Sequence, residues 1–345
     1  PSRWYRRVMG PAFPAGRHQC DSAQSMFEPP GYLRAPLTVL AALLAVPAGA
    51  ALAARLIPVT NHGVLTLAAL SPYLTMAAVP AALLLVATRR FLAGAAVAAV
   101  AAAAIAVQLP RFIPDAAPKG VALRVLTANV ELGTADPAAL AALARDRADV
   151  LVLQELTPQL AGAVDTRIAA DFPHRALDTR PHASGAGLWS RYPITDTEEV
   201  GGFQLATQQA RLAVPGAAEV TLLNTHIVGP WPQPIDGWRA ELALMRDIMT
   251  GLAAQPGPVI VAGDFNATHD MAPFRALLST GFGDAADQSG AGLARSFPAD
   301  SPIPPLIGID HILIRHGWAT DARTVRVPGS DHLGVVATVV LRPLA

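Results

Sequence analysis

The sequence predicts three transmembrane helices followed by one domain of the α/β class. Residues 35–109 contain three long apolar runs. From residue 121 onward, short runs rich in Val, Ile and Leu alternate with segments of helical pattern. With 52% hydrophobic and only 15% charged residues, the chain is too apolar to be disordered. Its single cysteine, Cys20, excludes a disulfide scaffold and a multi-cysteine zinc site.

The three apolar runs, residues 35–54, 64–87 and 91–109, contain no Asp, Glu, Lys, Arg or His. Each reaches the roughly 17–25 residues that span a bilayer, where only a helix satisfies its own backbone polar groups. The third run is the weakest because alanine dominates it. One alternative is an alanine-rich helical hairpin buried in a soluble domain. A signal peptide fits less well, because three runs follow one another without a clear cleavage pattern.

Charge divides the chain into an arginine-rich part and an acidic part. Residues 1–114 have a net charge of +7, and residues 115–345 have −7. Positive residues stay on the cytoplasmic side of a membrane. The tail and Arg89–Arg90 carry most of the arginines, whereas the loop after the first run has only Arg55. We therefore expect a multi-pass cell-membrane protein with an extracytoplasmic domain, provided that the third run spans.

The resulting division has four parts. They are a cytoplasmic Arg-rich tail (1–34), three transmembrane helices (35–109), a Pro-rich linker (110–120) and an α/β domain (121–345). In the domain, strands are expected at 121–129, 150–154, 187–190, 220–226, 258–263, 309–314 and 334–341. Helices are expected at 137–147, 158–170, 238–252 and 271–278, the first with Asp136 as cap and Pro137 as first residue.

Polar clusters follow or open the predicted strands. They are Thr127-Ala128-Asn129, Gln154-Glu155, Asn224-Thr225-His226, Gly263-Asp264-Phe265-Asn266, Ile309-Asp310-His311 and Ser330-Asp331-His332. Taken singly, each is compatible with a turn, a helix cap or a buried histidine. Strand ends on a rigid sheet are also where distant side chains converge on a site.

Taken in order, these clusters resemble the motifs of the endonuclease/exonuclease/phosphatase superfamily of metal-dependent phosphoesterases. The matching stretches are LRVLTANV, VLVLQEL, GAGLWSRYPI, LLNTHIVGP, VIVAGDFNA, GIDHILI and GSDHLGVVATV, within residues 121–345. The membrane part resembles that of membrane-anchored bacterial members. The resemblance implies a four-layer sandwich of two β-sheets packed face to face, with helices outside.

The resemblance also implies roles for eight residues. Glu155 is the principal metal ligand, Asn129 is its neighbour, and Asp331 is a carboxylate of a second metal site. His226 donates to a phosphate oxygen, Asp264 orients water, Asn266 binds phosphate, His332 is the catalytic histidine and Asp310 is its hydrogen-bond partner. Oxygen ligands without cysteine suit Mg²⁺ or Mn²⁺. Whether Asp264 or His332 takes the water proton stays open. His311 points to the other face of its strand and is not expected to be catalytic.

The expected function is a membrane-embedded hydrolase of phosphate esters, with a lipid or a nucleic acid as candidate substrate and no protein partner. The alternatives are an extracellular nuclease and a non-catalytic membrane binding module. The charge of −7, with one lysine (Lys119), disfavours the nuclease because nucleic-acid proteins neutralise several phosphates. Trp231 and Trp238, in a Pro-rich loop after His226, are expected to stack on a base, to enter the lipid interface or to pack on the domain.

Overall fold

A computed structural model describes residues 29–343. Residues 1–28 of the predicted tail lie outside this range. The apolar part is helical throughout. Its helices are α1 (Gly31–Leu56), α2 (His62–Ala69), α3 (Ser71–Leu74), α4 (Ala78–Ala87) and α5 (Phe91–Gln108), with 3₁₀ turns at Thr75–Ala77 and Leu109–Phe112.

The second apolar run is not one straight helix. It is bent by 61° between His62–Ala69 and Ser71–Ala87, next to Pro72. Proline lacks the N–H that a continuous helix needs there. The alanine-rich third run, by contrast, forms an unbroken helix. Two helices, Gly31–Leu56 and Phe91–Phe112, are long and apolar enough to cross a membrane, and the bent pair makes a third if it acts as one span.

The apolar helices pack through small residues and leave large ones outside. Ala48, Ala78 and Ala101 form a small buried cluster between α1, α4 and α5. Alanine at such contacts lets helix backbones approach closely, as in membrane bundles. Facing outward, Val46 is 69% exposed and Leu92 is 91% exposed. The outer surface of this bundle is therefore apolar.

Polar side chains join the ends of α1 and α5 to the following domain. Arg55, at the end of α1, forms a buried ion pair with Asp270. Gln108, at the end of α5, donates to the same carboxylate at 2.7 Å. Arg111 then pairs with Asp287 at 2.8 Å. The C-terminal ends of α1 and α5 consequently lie on the same side of the bundle, against the domain.

The domain has twelve strands and five helices in the described residues. The strands are β1 (Val121–Asn129), β2 (Val150–Gln154), β3 (His174–Asp178), β4 (Ala186–Ser190), β5 (Ile194–Glu199), β6 (Gln208–Leu212), β7 (Val220–His226), β8 (Val259–Asp264), β9 (Gly283–Asp284), β10 (Asp310–Arg315), β11 (Gly317–Arg326) and β12 (Leu333–Leu341). The helices are α6 (Pro137–Arg147), α7 (Pro158–Ile168), α8 (Ile235–Ala253), α9 (Ala272–Leu278) and α10 (Ala285–Gln288).

These strands form two six-stranded sheets, in the orders β11-β12-β1-β2-β4-β3 and β5-β6-β7-β8-β10-β9. Side chains of both sheets, such as Leu123, Val150, Val220 and Ile260, share one buried core. Helices α6 and α7 cover the outer face of the first sheet. Helices α8 and α9 cover the outer face of the second. The predicted four-layer sandwich is confirmed.

Candidate active site

All eight predicted site residues lie at one edge of the sandwich. Each sheet has a parallel central pair, β1 with β2 and β7 with β8. The C-terminal ends of these pairs carry Asn129, Glu155, His226 and Asp264. The antiparallel strands β10 and β12 begin at the same edge. There Asp310 opens β10, and Asp331 and His332 immediately precede β12.

Asp264 lies at the centre of the cluster and is fully buried. Its Oδ2 accepts from Asn129 Nδ2 at 3.1 Å and lies 3.6 Å from His226 Nε2 and 3.8 Å from His332 Nε2. Its Oδ1 accepts from the backbone N–H of Asn266 at 2.8 Å. Burial, together with the nearby charge of Asp310, raises the pKa of Asp264.

Gly263 allows Asp264 to reach this position. It has φ +150°, and a Cβ there would lie 1.9 Å from the carbonyl oxygen of Thr225 on the neighbouring strand. Only glycine tolerates such an approach. The close pairing sets His226 directly beside Asp264 in the register of β7 and β8.

Glu155 sits just beyond β2 in a left-handed backbone conformation, with φ +58°. Its Oε1 accepts from Asn129 Nδ2 at 3.0 Å, and its Oε2 accepts from the backbone N–H of Leu132 at 2.7 Å. Asn266 is also left-handed, with φ +48°. Such strained positions for non-glycine residues concentrate at functional sites.

His332 and Asp310 form a buried pair. The Nδ1 of His332 donates to Asp310 Oδ2 at 2.9 Å, so its Nε2 faces Asp264 and Asp331. Burial lowers the pKa of His332, but the charges of Asp310 and Asp264 outweigh this effect and raise the pKa to about 10. The ring of Phe297 packs 4.9 Å from that of His332, centroid to centroid. The imidazole is thus fixed in orientation and holds its proton.

The remaining predicted residues complete the rim. Asn266 Nδ2 donates to the carbonyl of Ile227 at 2.9 Å and lies 3.4 Å from Asp264 Oδ2. Asp331 is partly exposed, and burial raises its pKa to about 6, the charges of Glu131 and Glu155 adding to the effect. The Nδ1 of His226 is buried without a hydrogen-bond partner.

His311 lies on the opposite face of β10, away from this cluster. Its Nδ1 contacts Asp284 Oδ2 at 2.7 Å and its Nε2 contacts the carbonyl of Ala267 at 2.9 Å. Both partners are acceptors, so both ring nitrogens donate and the imidazole carries a positive charge. Burial lowers the pKa of His311, but the charge and hydrogen bond of Asp284 outweigh this effect and raise the pKa. This pair supports the chain immediately after Asn266.

His311 should therefore stabilise the fold in a pH-dependent way. A raised folded-state pKa gives stability that is complete below the unfolded value of about 6.5 and is lost as pH rises through the folded pKa. We expect His311→Gln to lower the Tm of the detergent-solubilised protein, by an amount that shrinks with increasing pH. Thermal denaturation of both proteins across a pH series measures this difference. A difference that is constant with pH would contradict a charged His311.

The sequence profile of the Endonuclease/Exonuclease/phosphatase family matches residues 126–332. The chain belongs to this family. The match spans every residue of the cluster and begins after the apolar helices. No match is found among curated proteins.

Several solved structures have a similar fold, and two of them serve as examples. An endonuclease/exonuclease/phosphatase from Bacteroides vulgatus superimposes with a TM-score of 0.53 at 17% identity, covering 64% of this chain and 100% of that chain. TDP2 of D. rerio, complexed with a single-strand DNA product, gives 0.53 at 20% identity, covering 63% and 98%. At these identities, the likeness establishes the family fold alone.

The excess of carboxylates in the candidate active site is suited to binding a cation. Glu155, Asp264, Asp310 and Asp331 converge, and within residues 29–343 no Lys or Arg forms an ion pair with any of them. Asp264, Asp310 and His332 also have ligand atoms close enough together to hold a metal ion. Carboxylate and amide oxygens are the ligands that Mg²⁺ and Mn²⁺ prefer. The predicted ligands Asn129 and Glu155 are in direct contact beside this group.

Three further residues support the site. Ser330 Oγ donates to the carbonyl of Asn129 at 2.8 Å and accepts from the backbone N–H of His332 at 3.0 Å. Glu241, buried on α8, accepts from the backbone N–H of Val228 at 2.8 Å, just after His226. Trp238 is buried and donates to the carbonyl of Asn266 at 3.0 Å, so one of the two loop tryptophans packs on the domain. The SDH motif pointed to Ser330 and the Pro-rich loop pointed to Trp238, whereas nothing in the sequence pointed to Glu241.

Proposed function

We propose that this protein is a membrane-anchored, divalent-metal-dependent hydrolase of phosphate esters. The observation that carries the proposal is the group of four acids and two histidines converging without a Lys or Arg partner in the described chain. Four carboxylates exceed the single positive charge of His332, so the cluster favours a further cation, and a phosphate ester needs its negative charge offset. The family membership supports the same chemistry.

Glu155, Asn129 and Asp331 are the proposed ligands, and a divalent cation held there would polarise a phosphoryl oxygen. Asp264, at the centre of the cluster with its Oδ2 3.6 Å from His226 Nε2 and 3.8 Å from His332 Nε2, orients a water molecule and accepts its proton. The water oxygen bonds to phosphorus, the ester P–O bond breaks, and the leaving alcohol oxygen takes the proton of His332 Nε2. The proton held by Asp264 then returns to His332, whose Nε2 lies 3.8 Å from Asp264 Oδ2. His332, His226 and Asn266 donate to the developing negative charge.

The test is hydrolysis of bis(p-nitrophenyl) phosphate and p-nitrophenyl phosphate by the purified full-length protein. We expect release of nitrophenol with Mg²⁺ or Mn²⁺ and none after chelation. Rates that chelation leaves unchanged, or no hydrolysis of either ester with either metal, would overturn the proposal. The comparison of diester with monoester defines the class of bond cleaved.

The apolar surface of the helix bundle supports membrane anchoring. Outward side chains such as Val46 and Leu92 are largely exposed. Since α1 and α5 both end against the domain, at Arg55 and Gln108, the chain between them must return across the bundle. Three crossings put the domain opposite the N-terminal end of α1. Arg89 and Arg90 then lie on the cytoplasmic side and the domain lies outside.

A reporter fused after Ala345 should therefore be active only if it functions outside the cytoplasm. Alkaline phosphatase is expected to be active there and green fluorescent protein dark. The matched control is the same pair of reporters fused after Arg90, for which the pattern should reverse. A fluorescent fusion after Ala345 would place the domain inside and refute the orientation.

A further inference from the structure

Two loops border the candidate active site, and both touch its side chains. The first is residues 227–234, following His226, where the carbonyl of Ile227 accepts from Asn266 Nδ2 at 2.9 Å. The second is residues 297–307, where the ring of Phe297 packs on His332. Both loops therefore flank the candidate active site.

The segment between α1 and α4, which contains α2 and α3, makes hydrogen bonds to both loops. The Nε2 of His62, the first residue of α2, donates to the carbonyl of Pro230 at 2.9 Å. The His62 ring also packs edge to face on Trp231, with centroids 4.6 Å apart. The hydroxyl of Tyr73, on α3, donates to the carbonyl of Leu306 at 2.5 Å. Each loop is thus fixed by one residue of this segment, His62 before the 61° bend and Tyr73 just after it.

The exposed side chains of the two loops are apolar. Trp231 is 68% exposed, Ile303 is 52% exposed and Leu306 is 37% exposed. Leu56 and Ile57, where α1 ends and this segment begins, are exposed as well. The apolar surface of the bundle thus has apolar neighbours on both loops. Tryptophan at the boundary between apolar and polar surroundings is typical of a membrane interface.

We propose that α2 and α3 form the membrane-side frame of the substrate entrance, and that this entrance admits the phosphate esters of membrane lipids. The inference rests on the proposed function and names its substrate class. His62 and Tyr73 are positioning residues, because they act through the loops and touch none of the reacting groups. The net charge of −7 over residues 115–345 makes a polyanionic nucleic acid the less suited substrate.

The test compares a lipid substrate with a soluble one in the same preparation. Full-length protein is reconstituted into vesicles of phosphatidylcholine, phosphatidylglycerol and sphingomyelin, and release of phosphorylated headgroups is measured with Mg²⁺. Hydrolysis of bis(p-nitrophenyl) phosphate by the same vesicles gives the soluble rate, and a single-stranded DNA oligonucleotide is the third substrate. We expect headgroup release in vesicles and little cleavage of DNA.

Trp231→Ala is expected to lower the lipid rate about tenfold more than the soluble rate, because it removes apolar contact at the entrance. Its ring is mostly solvent-exposed, so the variant should fold. His62→Ala and Tyr73→Phe should shift the ratio of the two rates in the same direction. The matched control is Trp318→Ala, on β11 at the far end of the first sheet, which should leave the ratio unchanged.

The outcomes separate this inference from the proposed function. Absence of hydrolysis of every substrate, with metal present, would refute the proposed function and the inference with it. Hydrolysis of the soluble diester without headgroup release, or preferential cleavage of DNA, would overturn the lipid entrance and leave the hydrolase standing. If Trp231→Ala lowered the lipid rate and the soluble rate equally, the lipid entrance would also be overturned.

Discussion

Asp264→Asn should lower the rate of phosphate-ester hydrolysis by at least about 10³-fold with little change in stability. The substitution keeps the shape of the side chain and an oxygen for the N–H of Asn266. It removes the negative charge that lies within 4 Å of Asn129, His226 and His332. It also removes the proposed acceptor of the water proton. The measurement is kcat on bis(p-nitrophenyl) phosphate, together with the thermal unfolding midpoint.

The matched control is Asp321→Asn, which removes a carboxylate from β11 whose partner is the exposed Arg323. That variant should retain full activity, because exposed ion pairs contribute little. An Asp264→Asn enzyme with more than about a tenth of the native rate would exclude Asp264 from the chemistry.

The pair of Asp310 and His332 should show strongly non-additive losses. Asp310→Asn and His332→Ala are each expected to lower kcat on the order of 10²–10⁴-fold, the range of a positioned acid–base group. Asp310 acts by orienting and charging the imidazole through the 2.9 Å hydrogen bond. Once the imidazole is gone, loss of Asp310 has little further effect. The measurement is a double-mutant cycle on kcat, with KM followed in parallel.

His174→Ala serves as the control for this cycle. His174 begins β3, at the end of the first sheet opposite to Asn129, and its loss should leave kcat unchanged. Additive losses from the two pair variants would mean that Asp310 and His332 act independently. A larger loss of kcat in His311→Ala than in His332→Ala would instead make His311 the functional histidine.

The predicted strands are the buried ones, and the missed strands are mostly at the edges. β1, β2 and β7 are confirmed at their predicted bounds, and every predicted helix exists within a few residues. β3, β5, β9 and β11 went unpredicted, and each is the edge strand of its sheet. An edge strand such as β5, Ile194–Glu199, is exposed along most of its length and so lacks the apolar pattern that marks a strand. The bend in the second apolar run was missed although Pro72 marked it.

The sequence places the motif residues at strand ends, and the sheet topology then brings them together. Long-range hydrogen bonds were beyond such reasoning. Glu241 and Ser330 support the site from positions whose residue types are common on surfaces. The contacts of His62 with Pro230 and Trp231 join parts of the chain 168 residues apart, which no local pattern encodes.

In the proposed function, Glu155 and its neighbours hold a divalent cation for hydrolysis. Calorimetric titration of the full-length protein with Mg²⁺ and Mn²⁺, compared with Glu155→Gln, tests it most directly. Glu155→Gln keeps the shape of a partly exposed side chain and removes its charge, so the fold should persist. We predict metal binding by the native protein and an affinity at least about tenfold weaker in Glu155→Gln, with hydrolysis lost. Equal metal affinity in the two proteins, or no metal binding by either, would contradict the claim.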